Sequence, residues 1–573
     1  FNLDVCLNKS EQRNTHITPD IILYMMKKCY PLLLLLLFNA CEQQLRTTIR
    51  SWVAYDESHA LSENATHESK KMRYRLIQSK VSNKNTLWEA IAPQIEFFTE
   101  DDYQRLKPLI LEQNIPTLQE HITTGSLSYE KLTQWYLYRI VRFENDSLKA
   151  LNAIISIHPN AVKNARERDL QKSDTDHLVY GIPILLKDNI NLAGIPTTAG
   201  AHVLKGNNTS DAFIVDRLQE KGAVMLGKTN LSEWANYLCS GCPNGYSAVG
   251  GQTLNPYGKR LFDTGGSSAG SGAAIASNYA AAALGTETSG SILSPASTHA
   301  LVGLKPTVGL LSRSGIVPIS STYDTPGPMT RNVVDASILL SAMKGEDPND
   351  ATTKGHSTAS KPIAFSSKSS YEGIRFGVNK QFLSDSLYKI AVLKIESLGG
   401  VLVEFEPLKV NFKNFGTILD ADMQVDLKAY FKQSRGENFM PQSVGDVVRH
   451  NSEDSLIRIP YAQERLDGVL ASSLSADSLA FFKESLQKEG RAFFETPMTE
   501  SKLDVILSIN NWNAGHAAVA QYPCLTLSMG FSEEGKPKGL TFIARPFEEE
   551  KLLKIAAVFE QATHSRKLPE EYK

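Results

Sequence analysis

The chain has 573 residues, 42% of them hydrophobic and 21% charged, with a formal net charge of −2. That composition is ordinary for a globular protein, and the near-neutral balance gives no electrostatic case for a nucleic-acid partner. No run reaches the ~20 apolar residues of a membrane span, and the cysteines, six in all, are too few to scaffold a chain of this size.

In chain order, residues 1–24 read as an upstream or non-native extension, because the chain begins with Phe1 and a second start signal follows. Within residues 25–40, Lys27 and Lys28 form a positive n-region and residues 32–38 a short apolar h-region. Phe38-Asn39-Ala40-Cys41 closes it, and a small residue before a cysteine resembles a bacterial lipobox. The expectation is an exported lipoprotein held in the cell envelope by a lipid on Cys41. A plain secretory signal and a buried core segment are the alternatives. Residues 41–90 read as a polar tether and fraying helix, and one large domain is expected over 91–573, its N-terminal helices reaching about residue 150.

Residues 87–121 carry helical patterning, which Pro108 and Pro116 are expected to interrupt. Ser128 is a candidate N-cap for a helix with Leu132, Trp135, Tyr136 and Ile140 on one face. The run from Ile182 to Leu186 reads as a buried strand ending at Lys187. A helix over 211–221 follows, then a strand over 223–226. This alternation predicts an α/β fold with a parallel or mixed sheet covered on both faces. Residues 273–284 are expected as one alanine-rich helix, and 346–371 as an exposed insertion. Strand character returns over 503–509, and Leu552, Ile555, Ala556 and Phe559 mark an amphipathic C-terminal helix.

The stretch with chemical content runs from Gly265 to Pro295. Gly265-Gly266-Ser267-Ser268 and Gly285-Thr286-Glu287-Thr288-Ser289-Gly290-Ser291-Ile292 are two glycine/serine turns around one short apolar element. Such turns can aim several N–H groups at one anionic oxygen, as acyl transfer requires. They resemble the signature of the amidase signature family, and look most like its peptide-amidase branch. The resemblance extends upstream to Gly181-Ile182-Pro183 and Leu186-Lys187-Asp188-Asn189, and downstream to residues 301–309 and 324–331, weakening thereafter. It covers roughly Tyr129 to Pro569, and implies that family's fold: one large twisted mixed β-sheet with helices on both faces.

The resemblance also implies the catalytic set. Ser291 matches the acylated serine, Ser267 a bridging serine held in a cis peptide, and Lys187 the lysine that takes the proton. The N–H groups of Thr288, Ser289, Gly290 and Ser291 would form the oxyanion hole. A histidine triad is the ordinary way to activate a serine, and only His299 is near in sequence, without a role in the motif. Lys187 must then be neutral part of the time, which burial favours. Asp188 either orients Lys187 or caps a turn, and Glu287 reads as structural. Cys239-Ser240-Gly241-Cys242 lacks the second pair that zinc would want, so it reads as two loop cysteines, with a disulfide as the alternative. No metal or organic cofactor is expected.

Two positions depart from the family pattern. Ser289 stands where many members have glycine or aspartate, and Leu293 where many have arginine. The expected function is hydrolysis of a carboxamide, on a small-molecule or peptide amide substrate, through an acyl-Ser291. Two alternatives stay open: the A-type component of an amidotransferase, and a surface binding protein that has kept the fold without turnover. Pocket walls are expected from residues 239–247, 410–449 and 509–521.

Overall fold

A computed structural model of the chain describes residues 47–171, 177–357, 362–365, 370–433 and 441–573. The signal-like segment, Cys41 and the first extension lie outside the described residues.

Eleven described strands form one mixed sheet. Its order is Ile154–Ile157, Val224–Thr229, Pro183–Lys187, Ala282–Glu287, Thr325–Thr330, Val302–Lys305, Cys524–Phe531, Pro537–Ile543, Val505–Ile509, Arg375–Asn379 and Val401–Phe405. Pro183–Lys187 lies parallel to both of its neighbours, and Thr325–Thr330 pairs antiparallel with Ala282–Glu287. The carboxyl ends of Pro183–Lys187 and Ala282–Glu287 therefore open side by side, the place where α/β sheets hold ligands.

Alternation along Val505–Ile509 shows both faces buried. Val505 and Leu507 enter the main core, while Ile506 enters a second cluster with Leu293, Phe494 and Ile543. A third cluster belongs to a helical layer built on Phe415–Gln433, where Met423, Leu427 and Tyr430 pack with Val317, Tyr323 and Leu466.

Several expectations need correction. From residue 47 onward the expected tether is packed: Met72, Tyr74 and Ile77 join the core beside Leu87 and Trp88. Buried Glu57 accepts from the N–H groups of Ile77 and Gln78, at 3.3 and 2.8 Å. Sparse anchors on irregular backbone leave no period to read. Pro108 lies inside the helix Glu100–Ile110, whose start is fixed by a Thr99–Asp102 capping box. Pro116 does mark a break, in the first turn of Ile115–Thr123 after the preceding helix has ended at Ile110. The alanine run divides into the helix Ala269–Ala276 and the strand Ala282–Glu287, because its second half pairs with Pro183–Lys187. The expected insertion is partly packed, with Asp347, Asp350, Thr353 and Ser357 buried.

The other elements match in kind. Ser128 accepts from Lys131 N and caps Tyr129–Glu144. The 211–221 and 223–226 readings become Phe213–Glu220 and Val224–Thr229, and the C-terminal helix is Glu549–Thr563. No described helix is long and apolar enough to cross a membrane.

Candidate active site

Lys187 ends the strand Pro183–Lys187 and is fully buried. Its Nζ donates to Ser267 Oγ at 2.8 Å, Thr286 Oγ1 at 2.8 Å and Thr286 O at 3.1 Å. No carboxylate pairs with it among the described residues. Burial therefore dominates and lowers the amine to about 7, against an opposing pull from Asp324 and Glu287. An amine so placed is available as a base at neutral pH.

Ser267 follows a cis Gly266–Ser267 bond, just ahead of Ala269–Ala276. Its neighbour Ser268 donates its N–H to Ser291 O at 3.1 Å, which joins the two serine turns. Ser291 sits between Ala282–Glu287 and the short helix Leu293–Thr298, and is 8% exposed. Its hydroxyl makes no hydrogen bond among the described residues. The chain Lys187–Ser267 is thus closed, and the Ser267–Ser291 link is open. Such links often tighten only when substrate binds.

Glu287 shapes the second turn. Its carboxylate accepts from the N–H groups of Gly290 and Ile292, each at 2.7 Å, and of Leu293 at 2.9 Å. Of the four expected oxyanion donors, the Gly290 N–H is thus already bonded to Glu287. The N–H groups of Thr288, Ser289 and Ser291 have no protein acceptor among the described residues. Gly290 has φ +86°, and a Cβ there would come within 3.0 Å of Asn511 Nδ2. The positive φ favours glycine at this turn.

Asp188 does not orient Lys187. It pairs with a second buried lysine, Lys228, at 3.1 Å, and accepts from the Thr198 hydroxyl. Lys228 also donates to Thr197 Oγ1 at 3.0 Å. Burial works against both charges, and their mutual contact opposes it. His299 is buried, contacts Pro295 O through Nδ1 at 2.7 Å, and is lowered to about 4 by burial. Cys239 and Cys242 form a disulfide, the alternative reading of that pair. Leu293 is buried in an apolar cluster, so no cation stands there.

Sequence reasoning missed three polar groups. Thr286 contacts Lys187 twice, and Asn189 donates to the same Thr286 hydroxyl at 3.0 Å. Asp324 accepts from Thr288 Oγ1 at 2.5 Å and from the N–H groups of Ile319 and Ser320, and burial raises it to about 6. All three lay inside the quoted motifs, and only their proximity was hidden. A cavity of about 240 Å³ reaches Asn189, Thr286 and Thr288. Its walls are residues 313–321 and one face of Phe415–Gln433, so of the expected walls only 410–449 contributes.

A sheet covered on both faces, with a buried lysine on one serine turn beside a second, defines an amide-bond hydrolase. The sequence pattern of the family described as Amidase matches residues 132–508, and the chain belongs to that family. A probable amidase of Arabidopsis thaliana is 35% identical over 484 residues, covering 80% of this chain and 92% of that protein. The A-type component of the glutamyl-tRNA(Gln) amidotransferase from Chlorobaculum tepidum is 29% identical, over 77% and 96%. Among solved structures, an amidase family protein from Bacillus anthracis has a TM-score of 0.81 at 33% identity, covering 86% of this chain and 99% of that one. The peptide amidase of Stenotrophomonas maltophilia has a TM-score of 0.73 at 35% identity, covering 80% and 99%.

The two lysines are separable by experiment. Lys228→Met should lower unfolding free energy by about 3–5 kcal/mol, because it strands the Asp188 carboxylate. Adding Asp188→Asn should recover part of that loss. Denaturant unfolding of the single and double variants checks it, and a neutral Lys228→Met would contradict the structural role.

Proposed function

We propose that the protein hydrolyses carboxamides through an acyl-Ser291 intermediate, with peptide C-terminal amides as the favoured class. The observation that carries this reading is the buried, unpaired amine of Lys187 at 2.8 Å from Ser267 Oγ. Neutral Lys187 takes the Ser267 proton as Ser267 takes that of Ser291. Ser291 Oγ attacks the carbonyl carbon, and the oxyanion faces the N–H groups of Thr288, Ser289 and Ser291. The same chain returns the proton to the departing nitrogen, releasing ammonia, and water then cleaves the ester. The likeness to the Stenotrophomonas maltophilia peptide amidase supports the substrate class. Buried Leu293 removes one cation that an acidic or glutamine-like substrate could use.

Ammonia release from aliphatic, aromatic and peptide amides tests the reading. Ser291→Ala should reduce kcat by about 10⁴-fold or more, and Lys187→Met by about 10³-fold with the fold retained. A fluorophosphonate should label Ser291 in the wild type. A well-folded enzyme that releases no ammonia and takes no label would return the surface-binding alternative.

The reading extends to export and a lipid on Cys41, on the sequence of residues 25–41 alone. Mass spectrometry of the mature N-terminus should find lipid-modified Cys41 as the first residue. An intact Lys27-Lys28 pair would overturn it.

A further inference from the structure

Asn189 lines the cavity beside Thr288, and its Nδ2 donates to Thr286 Oγ1 at 3.0 Å and to Val317 O at 3.4 Å. A carbonyl only accepts, so the amide nitrogen must be the atom facing Val317, which leaves Oδ1 as the free end. That oxygen is buried with no partner among the described residues, in a side chain 2% exposed. A buried acceptor without a donor is unfavourable, and a ligand N–H relieves it.

The lining is also acidic: Asp324, beside Thr288, and Asp350 and Asp426 line the cavity, against one cation, Arg313. Asp350 is already matched by Arg313, with Nε–Oδ2 at 2.8 Å and Nη2–Oδ1 at 2.6 Å. Asp324 is satisfied by Thr288 and two backbone N–H groups. Asp426 differs. It accepts from Ser321 N at 2.6 Å and has no cation partner among the described residues. Lys483, which could reach this face, is bound to Asp422 one turn away at 2.6 Å. Burial pushes the Asp426 carboxyl up, the Ser321 bonds pull it down, and the charges of Asp422 and Lys483 act on it in opposite directions, while no cation forms an ion pair with it among the described residues. The wall also includes Ile316 and Pro318. A cavity that holds a buried acceptor and a carboxylate outside any ion pair suits a methylene chain that ends in a cation.

We infer that this cavity takes a cationic acyl group, the side chain of a lysine- or arginine-type residue bearing the scissile carboxamide. Asp426 is its specificity-determining residue, and Asn189 Oδ1 accepts an N–H nearer the carbonyl. The inference rests on the amidase reading of Ser291. Ammonia as leaving group does not need a cavity of about 240 Å³, so the space belongs to the acyl side.

The test compares ammonia release from the N-acetylated amides of lysine, norleucine and glutamate. The expected order of kcat/KM is lysine, norleucine, glutamate, with a lysine-to-norleucine ratio of about ten that shrinks as salt rises. Asp426→Asn keeps an oxygen for the Ser321 N–H and should bring that ratio close to one. Asp426→Lys should place glutamate above lysine. A wild-type ratio of one or less, or a ratio unchanged in folded Asp426→Asn, overturns the inference and leaves the amidase reading standing. No ammonia from any of the amides, with Ser291 unlabelled, overturns that reading and the inference with it.

Discussion

The proposed chemistry of the site depends on the desolvation of one amine. Lys187 sits at the end of a strand with parallel neighbours on both sides, where water does not reach it. Its three hydrogen bonds go to two hydroxyls and one carbonyl, none of them charged. Neutral partners satisfy the amine without holding its proton. A carboxylate in the same place would raise the amine and silence it as a base. Lys228, one strand away, is also lowered by burial, but it has Asp188 at 3.1 Å opposing that shift, a partner Lys187 lacks among the described residues.

Glu287 links the fold to the chemistry in a similar way. It commits its oxygens to three backbone N–H groups and so bends the chain into the turn that carries Ser291. In doing so it engages the Gly290 N–H and leaves those of Thr288, Ser289 and Ser291 without a protein acceptor among the described residues. Asp324 braces the other side of the same turn through the Thr288 hydroxyl. The helical layer on Phe415–Gln433 packs with Val317 and Tyr323 and lines one side of the cavity.

Much of this was legible in the sequence, for physical reasons. Continuous apolar runs such as 182–186 read as buried strands because both faces are covered. The two glycine/serine turns carried the family resemblance, and with it Lys187, Ser267 and Ser291. What was hidden depended on distance in space. The partner of Asp188 lies forty residues away at Lys228, and Asp350 reaches Arg313 from a segment whose polar composition suggested exposure. The Gly290 N–H looked available because its acceptor is a side chain in the same motif, and motif spacing says nothing about where that carboxylate folds. The alanine run misled because alanine suits a close-packed helix and a crowded central strand equally.

The most direct test of the central claim is the pH dependence of Ser291 acylation by a fluorophosphonate, read by mass spectrometry in single turnover. With Lys187 as the base, the rate should rise through a midpoint near 7 and level above it. Lys187→Met should be slow and lose that midpoint. A wild-type rate flat from about pH 5.5 to 9, or a midpoint that survives in Lys187→Met, would contradict the account.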